Sequence, residues 1–203
     1  MVENSFKFIF INYWRSIDKK ILLCFFILFF LGLFLSFSST SSLAGERLNK
    51  EFYFFFTKHL IFTFLALTIM IIISTFKTEL LMKFVAPLFI VSFFLLAIVP
   101  IIGIEVKGAK RWIDLYFFRF QPIEILKPFF ILITAKILTF EKFKNSQIKY
   151  IFSFMLLGSV VILLVNQPDL GQSILLIGSW VSTVFISGVS LIHILLIFLI
   201  FSV

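Results

Sequence analysis

Six long apolar runs, separated by short stretches that carry most of the charge, constrain this chain more than any other feature. A helix needs roughly 17–25 mostly apolar residues to cross a bilayer, at about 1.5 Å of rise per residue. Ile21–Phe37, Leu60–Phe76, Phe84–Ile104, Pro122–Phe140, Tyr150–Val165 and Leu170–Ile186 reach or approach that length, and the second extends back toward Tyr53. A further run, Leu191–Val203, has only 13 residues and is too short to cross, so the polypeptide is expected to stop inside a seventh helix. Hydrophobic residues make up 61% of the 203 positions and charged residues 14%, against about half and about a quarter in a soluble domain. A water-soluble fold could not hide so much apolar surface. The expected fold is therefore an all-α polytopic membrane protein with six transmembrane helices plus the start of a seventh, forming a single membrane domain over residues 1–203. Ser42-Leu43-Ala44 loosely resembles a signal-peptide cleavage site. The run before it exceeds the usual apolar core of a signal and five spans follow, so it reads as an anchor.

The remaining composition excludes several classes. The single cysteine, Cys24, lies inside an apolar run and rules out an intrachain disulfide or a cysteine metal cluster. His59 and His193 are far apart with no partner motif, so no metal site is expected. The net charge of +8 is spread between the apolar runs, which points to anionic lipid headgroups and not to nucleic acid.

Loop charge sets the orientation, because short cytoplasmic loops favour Lys and Arg and the first span usually dominates. Lys7, Arg15, Lys19 and Lys20 favour a cytoplasmic N-terminus, with residues 1–20 as a cytoplasmic tail. The outer face then receives Lys107, Lys110, Arg111, Arg119 and Lys127, all within 20 residues or so of one another, against the insertion rule. Residues 105–121 are thus expected to form a periplasmic basic loop with a functional reason to be there.

In this topology the fourth and sixth spans both start at the periplasmic face, and their starts are alike: Gln121-Pro122-Ile123-Glu124 and Gln167-Pro168-Asp169. Proline suits a first helical turn, where its missing N–H would be unpaired anyway. Gln121 is predicted to cap the fourth span with Glu124 folding back in a capping box, and Asp169 to lie against the positive end of a helix dipole. Asn166 and Gln172 are expected to complete hydrogen bonds at the sixth start. Lys127 lies inside the fourth span, three residues after Glu124 and on the same face. A charge within a span faces protein or a wet cavity, so the two residues form either a structural pair or part of a substrate site. Read as a helix, the preceding stretch would bring Lys107, Lys110, Arg111 and Asp114 to one side, with Trp112 at the headgroup level. Two helix starts beside such a cluster suit a phosphate, which Arg111 would grip bidentately. The ligand is then an anionic lipid headgroup or a lipid-linked pyrophosphate.

Glu105-Val106-Lys107-Gly108-Ala109-Lys110-Arg111-Trp112-Ile113, then Gln121-Pro122-Ile123-Glu124-Ile125-Leu126-Lys127-Pro128, and then Gln167-Pro168-Asp169-Leu170-Gly171-Gln172 resemble the SEDS (shape, elongation, division and sporulation) family across nearly the whole chain. The Glu-Val-Lys-Gly-Ala stretch and Tyr13-Trp14-Arg15-Ser16-Ile17-Asp18 look more like its FtsW division branch than its RodA elongation branch. The resemblance implies a ten-span fold at the septum, of which this would be the N-terminal part. It also implies a peptidoglycan glycosyltransferase that polymerises lipid II onto a growing glycan strand, beside a class B penicillin-binding protein and other division proteins. Lys107, Lys110, Arg111, Trp112, Gln121, Glu124, Lys127, Gln167 and Asp169 would then meet the pyrophosphate or headgroup. Two departures stand out. Ile123 replaces the family's usual serine, and the acidic residue proposed as the family's base falls in an outer loop beyond residue 203. The chain is accordingly expected to be inactive by itself. No cofactor is evident, although a divalent cation is compatible with such a substrate. Competing readings are a RodA-like elongation polymerase, a flippase for the lipid-linked precursor, and a non-catalytic division scaffold. Polar groups gather near the outer face and are sparse in spans one, three and five, which favours surface chemistry over a path through the membrane.

Overall fold

The computed structural model describes residues 14–15, 17–40, 53–106, 108–116, 118–140 and 146–189. They fall in two compact units, divided between Lys77 and Thr78. The first unit holds α1 (Lys19–Thr40) and α2 (Phe54–Ser74). The Asp18 carboxylate accepts the N–H groups of Lys20 at 2.9 Å and Ile21 at 3.2 Å. That cap starts α1 ahead of the apolar run, because it satisfies donors the first turn leaves open. The two helices pack together, with Phe37 stacked on Tyr53 at 6.2 Å and edge-on to Phe56 at 5.3 Å. Both are apolar all round and expose most of their side chains, as lipid-solvated helices do.

The second unit runs α3 (Thr78–Ile102), β1 (Ile104–Val106), β2 (Ala109–Asp114), β3 (Arg119–Phe120), α4 (Pro122–Leu138), α5 (Ser146–Asn166) and α6 (Leu170–Ile186). Among the described residues α1, α2, α3 and α5 are long and apolar enough to cross a membrane. Helices α4 and α6 have 17 residues each, about 26 Å at the usual rise and slightly under a typical hydrocarbon core. The run from Leu191 lies outside the described residues.

The loop corrects the all-α expectation. Strands β1, β2 and β3 form an antiparallel sheet in that order, pairing Ile104 with Trp112, Glu105 with Lys110, and Asp114 with Arg119. The helical reading of residues 105–114 therefore fails. Along β2 the register shifts opposite Ile104 and Glu105, which face Trp112 and Lys110, so Arg111 is the extra residue of a β-bulge between them, while Ala109 and Ile113 are buried and Lys110 and Asp114 exposed. Two glycines explain the choice. A Cβ on Gly103 would sit 2.5 Å from the Val99 carbonyl oxygen and 3.2 Å from that of Trp112, so only glycine lets the chain leave α3 straight into β1. Gly108, with φ +79°, makes the left-handed turn between β1 and β2.

Buried residues recur every three or four positions along α4 (Ile123, Leu126, Phe130) and α6 (Leu176, Trp180, Val184), and meet Phe89 and Leu96 of α3 and Val160 and Leu164 of α5. One polar bolt crosses this core. Pro100 has no N–H to offer the Leu96 carbonyl four residues earlier, and the buried Gln167 amide donates to that carbonyl at 2.8 Å instead.

Candidate functional site

The starts of α4 and α6 lie together, and the cluster grows from that juxtaposition. Gln121 is the N-cap of α4 and Pro122 its first helical residue, as the sequence predicts, but no side-chain capping bond forms. The capping box is therefore absent. The Gln121 amide donates across to Asp169 at 2.7 Å, and Glu124 turns to Lys127 and Gln172. At the second start Pro168 is not helical. It precedes Asp169, which is itself the N-cap of α6 and accepts the Gln172 N–H at 3.4 Å. Asp169 must stand outside the helix for its carboxylate to reach that N–H, and this displaces the proline from the first turn.

Glu124 and Gln172 are each the third residue of their helices, which sets them at equal depth on neighbouring starts. With Lys127 they close a triangle: Lys127 Nζ to Glu124 Oε2 is 2.8 Å, Lys127 Nζ to Gln172 Oε1 is 2.9 Å, and Gln172 Nε2 to Glu124 Oε1 is 2.7 Å. The Lys127 side chain is 23% exposed and that of Glu124 52%, so the ammonium is partly shielded while the carboxylate rim is open. Gln172, expected from the sequence to complete hydrogen bonds at the sixth start, does so, and what sequence reasoning missed is that its side chain reaches across to Glu124 and Lys127 of α4. Its third-position register opposite Glu124, readable once both spans start on one side, is the signal that finds it.

Arg111 reaches this junction from the sheet. Its Nε donates to the Gln167 carbonyl at 3.1 Å and its Nη2 to the Pro168 carbonyl at 2.6 Å, and Nη1 lies 3.8 Å from Asp169 Oδ1. Arg111 thus staples β2 to the turn between α5 and α6, and two of its donors are committed to backbone. Asp169, buried at 6% exposure, gathers Arg111, Gln121 and its own cap bond at one carboxylate. Gln167 is also buried and bonded to α3. Lys110 is exposed, Trp112 is half-buried, and Lys107 lies outside the described residues. At the far end of β2, Arg119 at 2.9 Å and the Tyr116 N–H at 2.9 Å hold the Asp114 carboxyl below its ordinary pKa, the arginine having the larger effect. The structure brings Arg111, Gln121, Glu124, Lys127, Gln167 and Asp169 into one connected junction, and among the described residues no hydrogen bond or ion pair ties Lys110 or Trp112 to it.

The sequence model of the FtsW/RodA/SpoVE family, described as cell cycle protein, matches residues 18–203. A probable peptidoglycan glycosyltransferase FtsW from Pasteurella multocida is 33% identical over 175 residues, which are 84% of this chain and 44% of that protein. A protein of the same description from Wigglesworthia glossinidia brevipalpis is 34% identical over 184 residues, 85% of this chain and 48% of its own. A solved chain from work on the structural coordination of polymerization and crosslinking by a peptidoglycan synthase complex superposes with a TM-score of 0.74 at 26% identity, covering 94% of this chain and 53% of that one. The chain spans about half the length of the curated relatives it matches.

Proposed function

This chain belongs to the FtsW/RodA/SpoVE family of cell cycle proteins of the bacterial inner membrane, and on that premise we propose that it forms the N-terminal part of a peptidoglycan glycosyltransferase that polymerises lipid II in septal wall synthesis. The observation that carries the reading is the Glu124–Lys127–Gln172 triangle at two adjoining helix starts. In the proposed reaction a GlcNAc 4-hydroxyl attacks the anomeric carbon of the growing chain, and undecaprenyl pyrophosphate leaves. Lys127 and the positive dipole ends of α4 and α6 would stabilise the leaving pyrophosphate, since preorganised cations and helix dipoles favour developing negative charge. Lys110 would add charge from the rim, with Lys107 beside it in sequence. Arg111, held by carbonyls, would position the α6 start and leave the grip on phosphate to Lys127. The general base lies outside residues 1–203 in this reading, so polymerisation needs the family's downstream spans.

The accompanying topology has all six helices crossing, a seventh begun near Leu191, the N-terminus in the cytoplasm and residues 105–121 outside, in one membrane domain. A class B penicillin-binding protein is the proposed partner, and the relative solved within a polymerising and crosslinking complex supports that pairing. The test is assembly of residues 1–203 with the C-terminal half of the Pasteurella multocida relative, in vesicles holding fluorescent lipid II and a class B penicillin-binding protein. Glycan strands are expected from the assembled protein and none from residues 1–203 alone. Strands made by residues 1–203 alone would contradict the missing base. Lipid II crossing the bilayer without strands would favour a flippase, and neither activity would favour a scaffold.

A further inference from the structure

The hairpin between β2 and β3 exposes a tip that the polymerase reading does not use. Tyr116 is 93% exposed in a left-handed conformation with φ +70°, and Leu115 and Phe118 beside it are also exposed. The tip is held firmly at its base: Asp114 pairs with Arg119 and accepts the Tyr116 N–H, and the Leu115 N–H donates to the Phe118 carbonyl at 3.1 Å. An exposed aromatic on such a built turn is presented to something, and the strand register says to what. Strand β1 leaves the end of α3 at Gly103, and β2 runs antiparallel to it, returning to the level of Ile104 at Trp112. Asp114 lies two residues further along the return, and the tip lies beyond Asp114. The hairpin therefore returns past the level at which β1 leaves the end of α3, the end of a helix long and apolar enough to cross a membrane. Tethering agrees, because only Arg119, Phe120 and Gln121 separate the tip from the first residue of α4, a reach of about 10 Å in extended chain.

We propose that Leu115, Tyr116 and Phe118 form an interfacial anchor that dips into the phospholipid headgroup layer on the face that receives residues 105–121. The chemistry matches that layer. Tyrosine places an apolar ring and a polar hydroxyl across the headgroup boundary, and Arg119 offers a cation to anionic headgroups. The anchor would hold the sheet at a fixed depth, and with it the Arg111 staple on the α6 start. The proposal needs only the membrane embedding of the chain, so it stands or falls separately from the polymerase reading.

The test uses the full chain with Cys24→Ser, in vesicles of phosphatidylethanolamine and phosphatidylglycerol, and an environment-sensitive fluorophore on Tyr116→Cys, Phe118→Cys or Lys110→Cys. Lys110 lies four residues back from Asp114 at the tip end of β2, about 13 Å of strand. Labels at positions 116 and 118 are expected to emit further to the blue than the label at 110. Lipids spin-labelled at the headgroup or upper acyl chain should quench them at least twofold more. Quenching by aqueous iodide equal to that at position 110, with no lipid quenching at either tip position, would overturn the anchor. Shielding that appears only when a class B penicillin-binding protein is added would also overturn it, assigning the tip to a protein contact.

Discussion

Lys127→Ala is expected to weaken binding of a lipid-linked pyrophosphate by about 10- to 100-fold, from the loss of one charge-assisted contact of about 1.5–3 kcal/mol. The effect should fall on the ligand and not on the fold. With the lysine gone, the Gln172 amide still donates to Glu124, and the Glu124 side chain, 52% exposed, retains solvent. Its carboxylate is therefore not stranded in an apolar setting, where the loss of a partner would be severe. Lys144→Ala, in the sequence between α4 and α5, is the control because the proposed topology puts it on the opposite side of the membrane. Titration of vesicles containing fluorescent undecaprenyl pyrophosphate separates the two variants. Equal losses would assign the triangle to helix packing and leave the outer charge as ordinary interfacial charge. An unchanged affinity in Lys127→Ala would remove the lysine from the substrate site altogether.

Asp169→Ala should be the most destabilising single change at the junction, by about 2–4 kcal/mol. Loss of the α6 cap accounts for about 1 kcal/mol. Stranding the Gln121 amide, which now donates to Asp169 at 2.7 Å, adds about 1–3 kcal/mol. The arginine pair adds little to this, because Arg111 is 34% exposed, its nearest approach to the carboxylate is 3.8 Å, and it keeps both carbonyl partners. Asp169→Asn keeps one oxygen for the cap and sets an NH2 where Oδ2 accepted from Gln121, so it should recover the cap's share of the loss, about 1 kcal/mol. Unfolding midpoints of the three proteins in one mild detergent measure this directly. An alanine variant within about 0.5 kcal/mol of the parent, the range of ordinary surface changes, would mean that packing alone holds the α4 and α6 starts together.

These two residues also mark how far the sequence could be read. Helix positions followed from the apolar runs because lipid demands length and apolarity, and Leu170–Ile186 has the bounds its run indicates. Charge pairing along one helix was equally legible, since Glu124 and Lys127 are three apart and do meet at 2.8 Å. What could not be read was any contact set by close approach between distant segments. Gln121 and Glu124 each had a plausible local partner in a capping box, yet both bond across to residues 48 positions away. A capping box competes with whatever acceptors a neighbouring helix brings, and a lone helix start cannot show them. Residues 105–114 misled for a different reason. Charges at helical spacing suggest a helix, but Gly103 and Gly108 bracket too short a stretch, and the steric demand at Gly103 comes from Val99 and Trp112 carbonyls that only the folded chain brings near. The role of Arg111 changed with it: strand geometry turned the expected phosphate fork toward the carbonyls of Gln167 and Pro168.

Whether the α4 and α6 starts can meet a lipid-linked substrate awaiting polymerisation depends on the side of the bilayer they face. A cysteine at Lys110, in the Cys24→Ser background, is exposed on the sheet that serves those starts. It can be treated with a membrane-impermeant maleimide in intact spheroplasts. Labelling before permeabilisation is the predicted result. Labelling only after the membrane is opened would put the sheet, the triangle and the helix starts in the cytosol and contradict the proposed site.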